Sequence, residues 1–196
     1  MVCCNGPKMD IKDWRPLIEL LKEASLEFSE GLTDDEVEHI EKTFSFRFPP
    51  DLCAFLKTAV PFSNSPRWRS GSESDIREWF DEPLRGILFD VETNEFWLPE
   101  WGERPIVPSI ALEVAASNIR TAPKLIPILA GRYMPELPHE VGNPVFSVHQ
   151  ADIIYYGFDL EDYLRHEFNL PREEWPAQIR QIGFWDPDRF QQLRWG

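Results

Sequence analysis

Cysteine, histidine and basic residues are all scarce in this 196-residue sequence. Three cysteines (Cys3, Cys4 and Cys53) cannot all pair, and they contain no Cys-x-x-Cys spacing. Cys53 falls in a helical pattern and is expected to be a small buried residue. The first ten residues lack the basic and then apolar segments of a secretory signal. Low cysteine use and the missing signal together predict a reducing, cytoplasmic location.

Long apolar runs are also absent, since no stretch approaches the roughly 18 residues that a membrane helix needs. We therefore expect no membrane insertion. Lysine and arginine number 20 against 34 aspartates and glutamates, which gives a net charge of −14. This balance argues against nucleic-acid binding, which needs a basic surface. It is compatible with steering of a basic protein partner, although solubility alone would also explain it.

The motifs of common enzymes are missing as well. His139-Glu140 and His166-Glu167 each begin like the His-Glu-x-x-His motif, but neither has the second histidine one turn later. No Gly-x-Ser-x-Gly, phosphate-binding glycine loop or dinucleotide glycine pattern occurs. We therefore assign no catalytic residue, no cofactor site and no metal ligand, and expect a protein that is not an enzyme. The alternative is an unrecognised enzyme or small-ligand binder with a polar pocket near Tyr133, His149 and Asp152.

A polar interruption lies inside the apolar stretch 142–157. If Gln150 and Ala151 form the tip of a hairpin, His149 faces Asp152 across it. We favour a local pair at a turn over a metal or catalytic pair. Gln-Ala is not a preferred two-residue turn, so a longer loop over 149–152 stays open as an alternative.

Apolar periodicity predicts an ordered chain of mixed helices and strands. Predicted helices cover 13–21, 31–44, 50–59, a segment with Ile76, Trp79 and Phe80 inward, 109–122 and 159–164. Predicted strands cover 86–92, 124–134 and the two arms of the hairpin; predicted loops cover 61–75, 93–105 and 135–144. Thr33 and Glu36 have the spacing of a capping box. This order predicts an α+β fold with an antiparallel sheet.

Three segments resemble the SUKH superfamily. The acidic helix after Thr33 leads into an aliphatic-Pro-x-[DE]-[LY] step and a helix ending in Phe-Leu. The matching positions are Phe48, Pro49, Pro50, Asp51, Leu52, Phe55 and Leu56. Residues 143–168 resemble the closing hairpin and helix of that superfamily, and 179–186 is similar to a tail in one bacterial branch. Where the superfamily often has a Gly-rich turn, this chain has Val60-Pro61-Phe62-Ser63-Asn64-Ser65.

The resemblance implies a single α+β domain whose antiparallel or mixed sheet is flanked by helices. It divides the chain into an N-terminal extension with one amphipathic helix (1–30), the SUKH-like domain (31–168) and an aromatic C-terminal segment packed on it (169–196). Most bacterial members are thought to be immunity proteins that neutralise toxins, many of them nucleases. A fungal branch regulates cell-wall synthesis through protein contacts. Neither role is catalytic.

The sequence therefore predicts a non-catalytic protein-binding domain that occludes a cognate, basic toxin. A regulatory scaffold in a cell-envelope or signalling pathway is the second hypothesis, and the oligomeric state is left open. Aromatic and arginine side chains on the two unusual loops, together with one glutamate, are the candidate partner-binding anchors, because aromatic and arginine residues dominate binding energy at interfaces. They are Arg67, Trp68, Arg69, Trp97, Glu100 and Trp101. For each tryptophan, packing under its own loop is at least as good an interpretation.

Overall fold

A computed structural model describes residues 12–191 and confirms the α+β fold. The helices are α1 (Arg15–Glu23), α2 (Asp34–Phe44), α3 (Pro50–Thr58), α4 (Glu73–Thr93), α5 (Pro108–Arg120), α6 (Leu160–Glu167) and α7 (Pro187–Gln191). The strands are β1 (Phe28–Glu30), β2 (Ala59–Pro61), β3 (Leu125–Pro127), β4 (Arg132–Pro135), β5 (Val145–His149) and β6 (Asp152–Gly157). Short 3-10 turns cover Pro99–Trp101 and Gly183–Trp185.

The predicted capping box at the start of α2 is confirmed. The Thr33 hydroxyl accepts from the Glu36 backbone N–H at 3.2 Å, and the Glu36 carboxylate accepts from the Thr33 N–H at 2.8 Å. Each side chain thereby satisfies a backbone donor that the helix itself cannot. Ser45 ends the helix in the left-handed conformation, with φ 54°. The capping box of Thr33 and Glu36 fixes where α2 begins.

The predicted strand over 86–92 is wrong, because these residues form the second half of α4. Ser72 caps this 21-residue helix through the Asp75 N–H at 3.2 Å. A buried apolar run shows no periodicity that distinguishes a strand from a helix. Residues 86–92 are helical because they continue the preceding turns of α4. Pro83 lies inside the helix and did not end it. The helix therefore continues without a break from Glu73 to Thr93.

The main sheet is an antiparallel meander in the order β3-β4-β5-β6, and a separate β1-β2 pair lies outside it. The single strand predicted over 124–134 is corrected to β3 and the start of β4. A turn joins these two short strands, and Gly131 takes φ +67° there, a conformation that suits glycine. The hairpin of β5 and β6 is confirmed, with His149 opposite Asp152. Asp159 caps α6 through the Asp162 N–H at 2.8 Å.

Two hydrophobic cores lie on opposite faces of the main sheet, because successive side chains of a strand point to opposite faces. Ile126 and Met134 face the first core, with α1, α2, α3, α6 and the first turns of α4. Their neighbours Leu125 and Tyr133 face the second core, with α4, α5 and the C-terminal segment. The buried N-terminal residues Trp14, Leu17, Ile18 and Leu21 belong to the first core.

The C-terminal segment packs partly as expected. Ile182, Trp185 and Phe190 are buried in the second core, and the Trp185 indole N–H donates to the Pro123 carbonyl at 2.7 Å. Trp175 is exposed, while Cys3, Cys4 and Trp195 lie outside the described residues. The segment therefore completes one face of the sheet.

Candidate interaction surface

The loop between β2 and α4 is fixed to the first core by Trp68. Its side chain is only 5% exposed. The indole ring contacts the Phe48 ring edge-on at 5.2 Å and also packs against Phe46 and Phe80. An indole buried among aromatic rings makes a large apolar contribution to the stability of the fold. Trp68 is thus a core residue, and its prediction as a surface anchor is wrong.

Arg69 ties the same loop to the start of α2. Its guanidinium donates to the Glu36 carboxylate at 2.5 and 3.0 Å, and also to the backbone carbonyls of Glu30 and Gly31. The hydrogen bond from Arg69, followed by that from the Thr33 backbone, lowers the pKa of Glu36 to about 2. All four of these hydrogen bonds are made within the protein. Arg69 therefore holds the loop in place and does not present a free charge to a partner.

Between Trp68 and β2 the loop opens a cleft of about 520 Å³. At the edge of this cleft Phe62 is 64% exposed. Arg67 is also exposed, and Trp79 of α4 is half-buried. We name this the Phe62 cleft; it is lined by Phe62, Ser63, Asn64, Ser65, Arg67, Asp75 and Trp79. Of the predicted anchors, it contains only Arg67. The sequence prediction omits Phe62, although a large apolar residue within a polar loop is a signal in itself, and it places Trp79 wholly in the core.

The second predicted loop lies on the second core. Trp101 is 7% exposed and contacts Trp97 edge-on at 5.1 Å, so its prediction as a surface anchor is also wrong. The half-buried Trp97 donates its indole N–H to the Gly102 carbonyl at 2.7 Å. Glu100 forms an ion pair with Arg189 of α7. The two loops pack on different cores and do not form one set of anchors.

The tip of the β5-β6 hairpin is a packing element. The Ala151 N–H donates to the buried Asp90 carboxylate of α4 at 2.8 Å. A Cβ on Gly86 would lie 2.9 Å from the Gln150 Cα, so only glycine lets the tip approach this closely. Tyr133 is 1% exposed within the second core. These contacts explain the polar interruption as a turn that docks on α4.

Asp51, from the SUKH-like step, is a buried carboxylate at the start of α3. Its side chain accepts from the Gly142 N–H at 2.9 Å and from the Leu52 N–H at 3.0 Å. Burial outweighs these hydrogen bonds and raises the pKa of Asp51 to about 6. The carboxylate joins α3 to the loop before β5 and carries a protonation equilibrium near neutral pH.

The raised pKa of Asp51 predicts a specific pH dependence. The neutral form is favoured in the folded state, so its stabilising contribution is present below about pH 4 and is lost as pH rises through 6. Because one pKa unit is worth about 1.4 kcal/mol, the free energy of unfolding of wild type relative to Asp51→Asn should fall by about 2–3 kcal/mol from pH 4 to 7.5. Urea unfolding of both proteins across this range measures it. Parallel pH profiles of the two proteins would contradict the assignment.

Within residues 12–191, no group of three or more histidine, cysteine or carboxylate side chains is arranged to hold a metal ion. In this same range no helix has both the length and the apolar content to cross a membrane. Comparison with protein-family models, curated proteins and solved structures finds no match to the chain.

Proposed function

We propose that this chain is a non-catalytic, cytoplasmic protein-binding domain, an immunity protein of the SUKH type that neutralises a basic toxin by occlusion. The observation that carries the proposal is the Phe62 cleft. It places an exposed phenylalanine beside an exposed arginine and a half-buried tryptophan. Aromatic and arginine side chains are the groups that supply most of the binding energy at protein interfaces.

The loop that carries these side chains is ordered before any partner arrives. Trp68 and Arg69 hold one end, as described above. The Ser65 hydroxyl donates to the Pro61 carbonyl at 2.6 Å, and the Gly71 N–H donates to the Arg67 carbonyl at 2.7 Å. A loop fixed by its own hydrogen bonds loses little entropy on binding, which favours affinity.

Charge supports a basic partner. The net charge of −14 attracts cationic proteins over distances of about the Debye length, some 8–10 Å at physiological salt. Attraction of this kind accelerates encounter more than it tightens the final complex. The cleft would then supply the short-range contacts, and a bound domain of this size would block access to the toxin's own site.

The test is protection from a candidate toxin, taken as a neighbouring-gene product whose expression alone stops growth. Co-expression with wild type should restore growth, whereas Phe62→Ser combined with Arg67→Ala should weaken binding of the purified toxin by about 100-fold or more and abolish protection. Leu137→Ser, at another half-exposed apolar residue, is the matched control. Protection by the cleft variant equal to that of wild type would remove the Phe62 cleft as the binding site. The lack of protection by wild type would remove the immunity function.

A further inference from the structure

The start of α5 presents aliphatic side chains to solvent. Ile106 is 99% exposed, Val107 is 50% exposed and Ile110 is 47% exposed. We name these three residues the α5 ridge. On the opposite side of the same helix, Ala111, Ala115, Ala116 and Ile119 are buried. A surface helix normally keeps one apolar face for its own core and a polar face for water, so packing in the core does not account for the exposed aliphatic surface of the ridge.

The ridge is held in place by its surroundings. Arg104 donates to the Val91 carbonyl at the end of α4 at 2.7 Å, which fixes the chain just before Ile106. Val107 caps the helix, and its carbonyl accepts from the N–H groups of Ile110 and Ala111, each at 3.1 Å. With Ile106 almost wholly exposed, the ridge projects from the surface instead of lining a cavity. Its shape fits a macromolecular surface better than a small molecule.

Carboxylates border the ridge. Glu103 precedes it, and Glu113 lies one turn after Ile110 on the same side of α5; both are exposed. Neither carboxylate forms an ion pair with another residue in the 12–191 range. Arg104 keeps its positive charge, but its guanidinium donates to the Val91 carbonyl and forms no ion pair with either carboxylate. The ridge is therefore an apolar centre with two carboxylates at its border that are not ion-paired.

Charge decides which occupant suits this arrangement. A second copy of the chain would bring the same carboxylates against Glu103 and Glu113, and the two copies carry −14 each. An anionic lipid surface would be repelled in the same way. A segment with aliphatic side chains flanked by lysine or arginine would bury the ridge and neutralise both carboxylates.

We infer that the α5 ridge is a second docking surface, which takes a basic amphipathic segment of a partner protein. This extends the proposed protein-binding function but does not depend on the Phe62 cleft or on the partner being a toxin.

A synthetic helix tests the inference without knowing the partner. The probe is a peptide of about 14 residues with leucine at i, i+3, i+4 and i+7 and lysine elsewhere. It should bind wild type, shift amide resonances of residues 103–114, and bind at least about tenfold more weakly to Ile106→Ser with Ile110→Ser. Glu103→Gln with Glu113→Gln should weaken binding and reduce its salt dependence.

Three controls make the result specific. The same peptide with glutamate in place of lysine should not bind, and Phe62→Ser should bind the lysine peptide as wild type does. Melting curves verify that the ridge variants fold. Equal peptide binding by wild type and the ridge variant would overturn the inference. So would ridge-dependent self-association in sedimentation, or ridge-dependent binding to phosphatidylglycerol vesicles, since either would assign the surface to a different occupant.

Discussion

Trp68→Ala should lower the free energy of unfolding by about 3–5 kcal/mol, because it leaves a cavity among aromatic rings that cannot close around it. The indole is 5% exposed and its neighbours Phe46 and Phe48 are themselves buried. Phe80 of α4 contacts the same ring at 6.1 Å. Removal of the indole therefore loosens the contact between the β2-α4 loop, α4 and the first core at once. Urea unfolding followed by circular dichroism measures the effect.

Two neighbouring substitutions give the contrast. Phe62→Ala and Arg67→Ala change exposed side chains of the same loop and should each alter the free energy of unfolding by no more than about 0.5 kcal/mol. These two changes are then expected to reduce partner binding in a protein that is still folded. A stability loss for Trp68→Ala as small as for Arg67→Ala would mean that the indole is not part of the core. The comparison separates the residues that hold the loop from those that the loop presents.

The elements found from the sequence were those with local signals. The capping box of Thr33 and Glu36, the hairpin around Gln150 and the cap at Asp159 each depend on residues only a few positions apart. The residues that make these contacts are close together in the chain, so their pattern can be recognised without knowing the rest of the fold. These features, and the α+β class that follows from their order, could therefore be predicted.

The elements missed depend on distant partners. The segment 86–92 is helical because it continues α4 against α5 and because the hairpin tip docks on Asp90, 61 residues before Ala151. An Ile-Leu-Phe run alone is equally typical of a buried strand. The prediction of tryptophans as surface anchors was wrong for a similar reason. Whether a tryptophan of a loop is buried depends on the core residues that it can contact. For Trp68 one such residue is Phe48.

Gly31→Ala is the second substitution expected to have a large effect. A Cβ on Gly31 would lie 2.0 Å from the carbonyl oxygen of Lys57 and 2.5 Å from its carbonyl carbon. Both atoms belong to the backbone of α3, so no rotation of a side chain can relieve the overlap. The neighbouring hydrogen bond from the Leu32 N–H to the Leu56 carbonyl, at 2.9 Å, holds the two segments together. The overlap must therefore separate α3 from the start of α2.

This separation has a predictable cost and a functional consequence. The free energy of unfolding should fall by about 3 kcal/mol or more, at the upper end of what overpacking costs, while Glu30→Ala at the exposed neighbour should stay within about 0.5 kcal/mol of wild type. Because the Gly31 carbonyl also accepts from Arg69 at 3.0 Å, the same shift should disorder the loop of the Phe62 cleft. Differential scanning calorimetry gives the stability, and hydrogen exchange of residues 62–71 reports the loop. A loss below about 1 kcal/mol with unchanged exchange would show that the Lys57 carbonyl can move aside independently of the cleft.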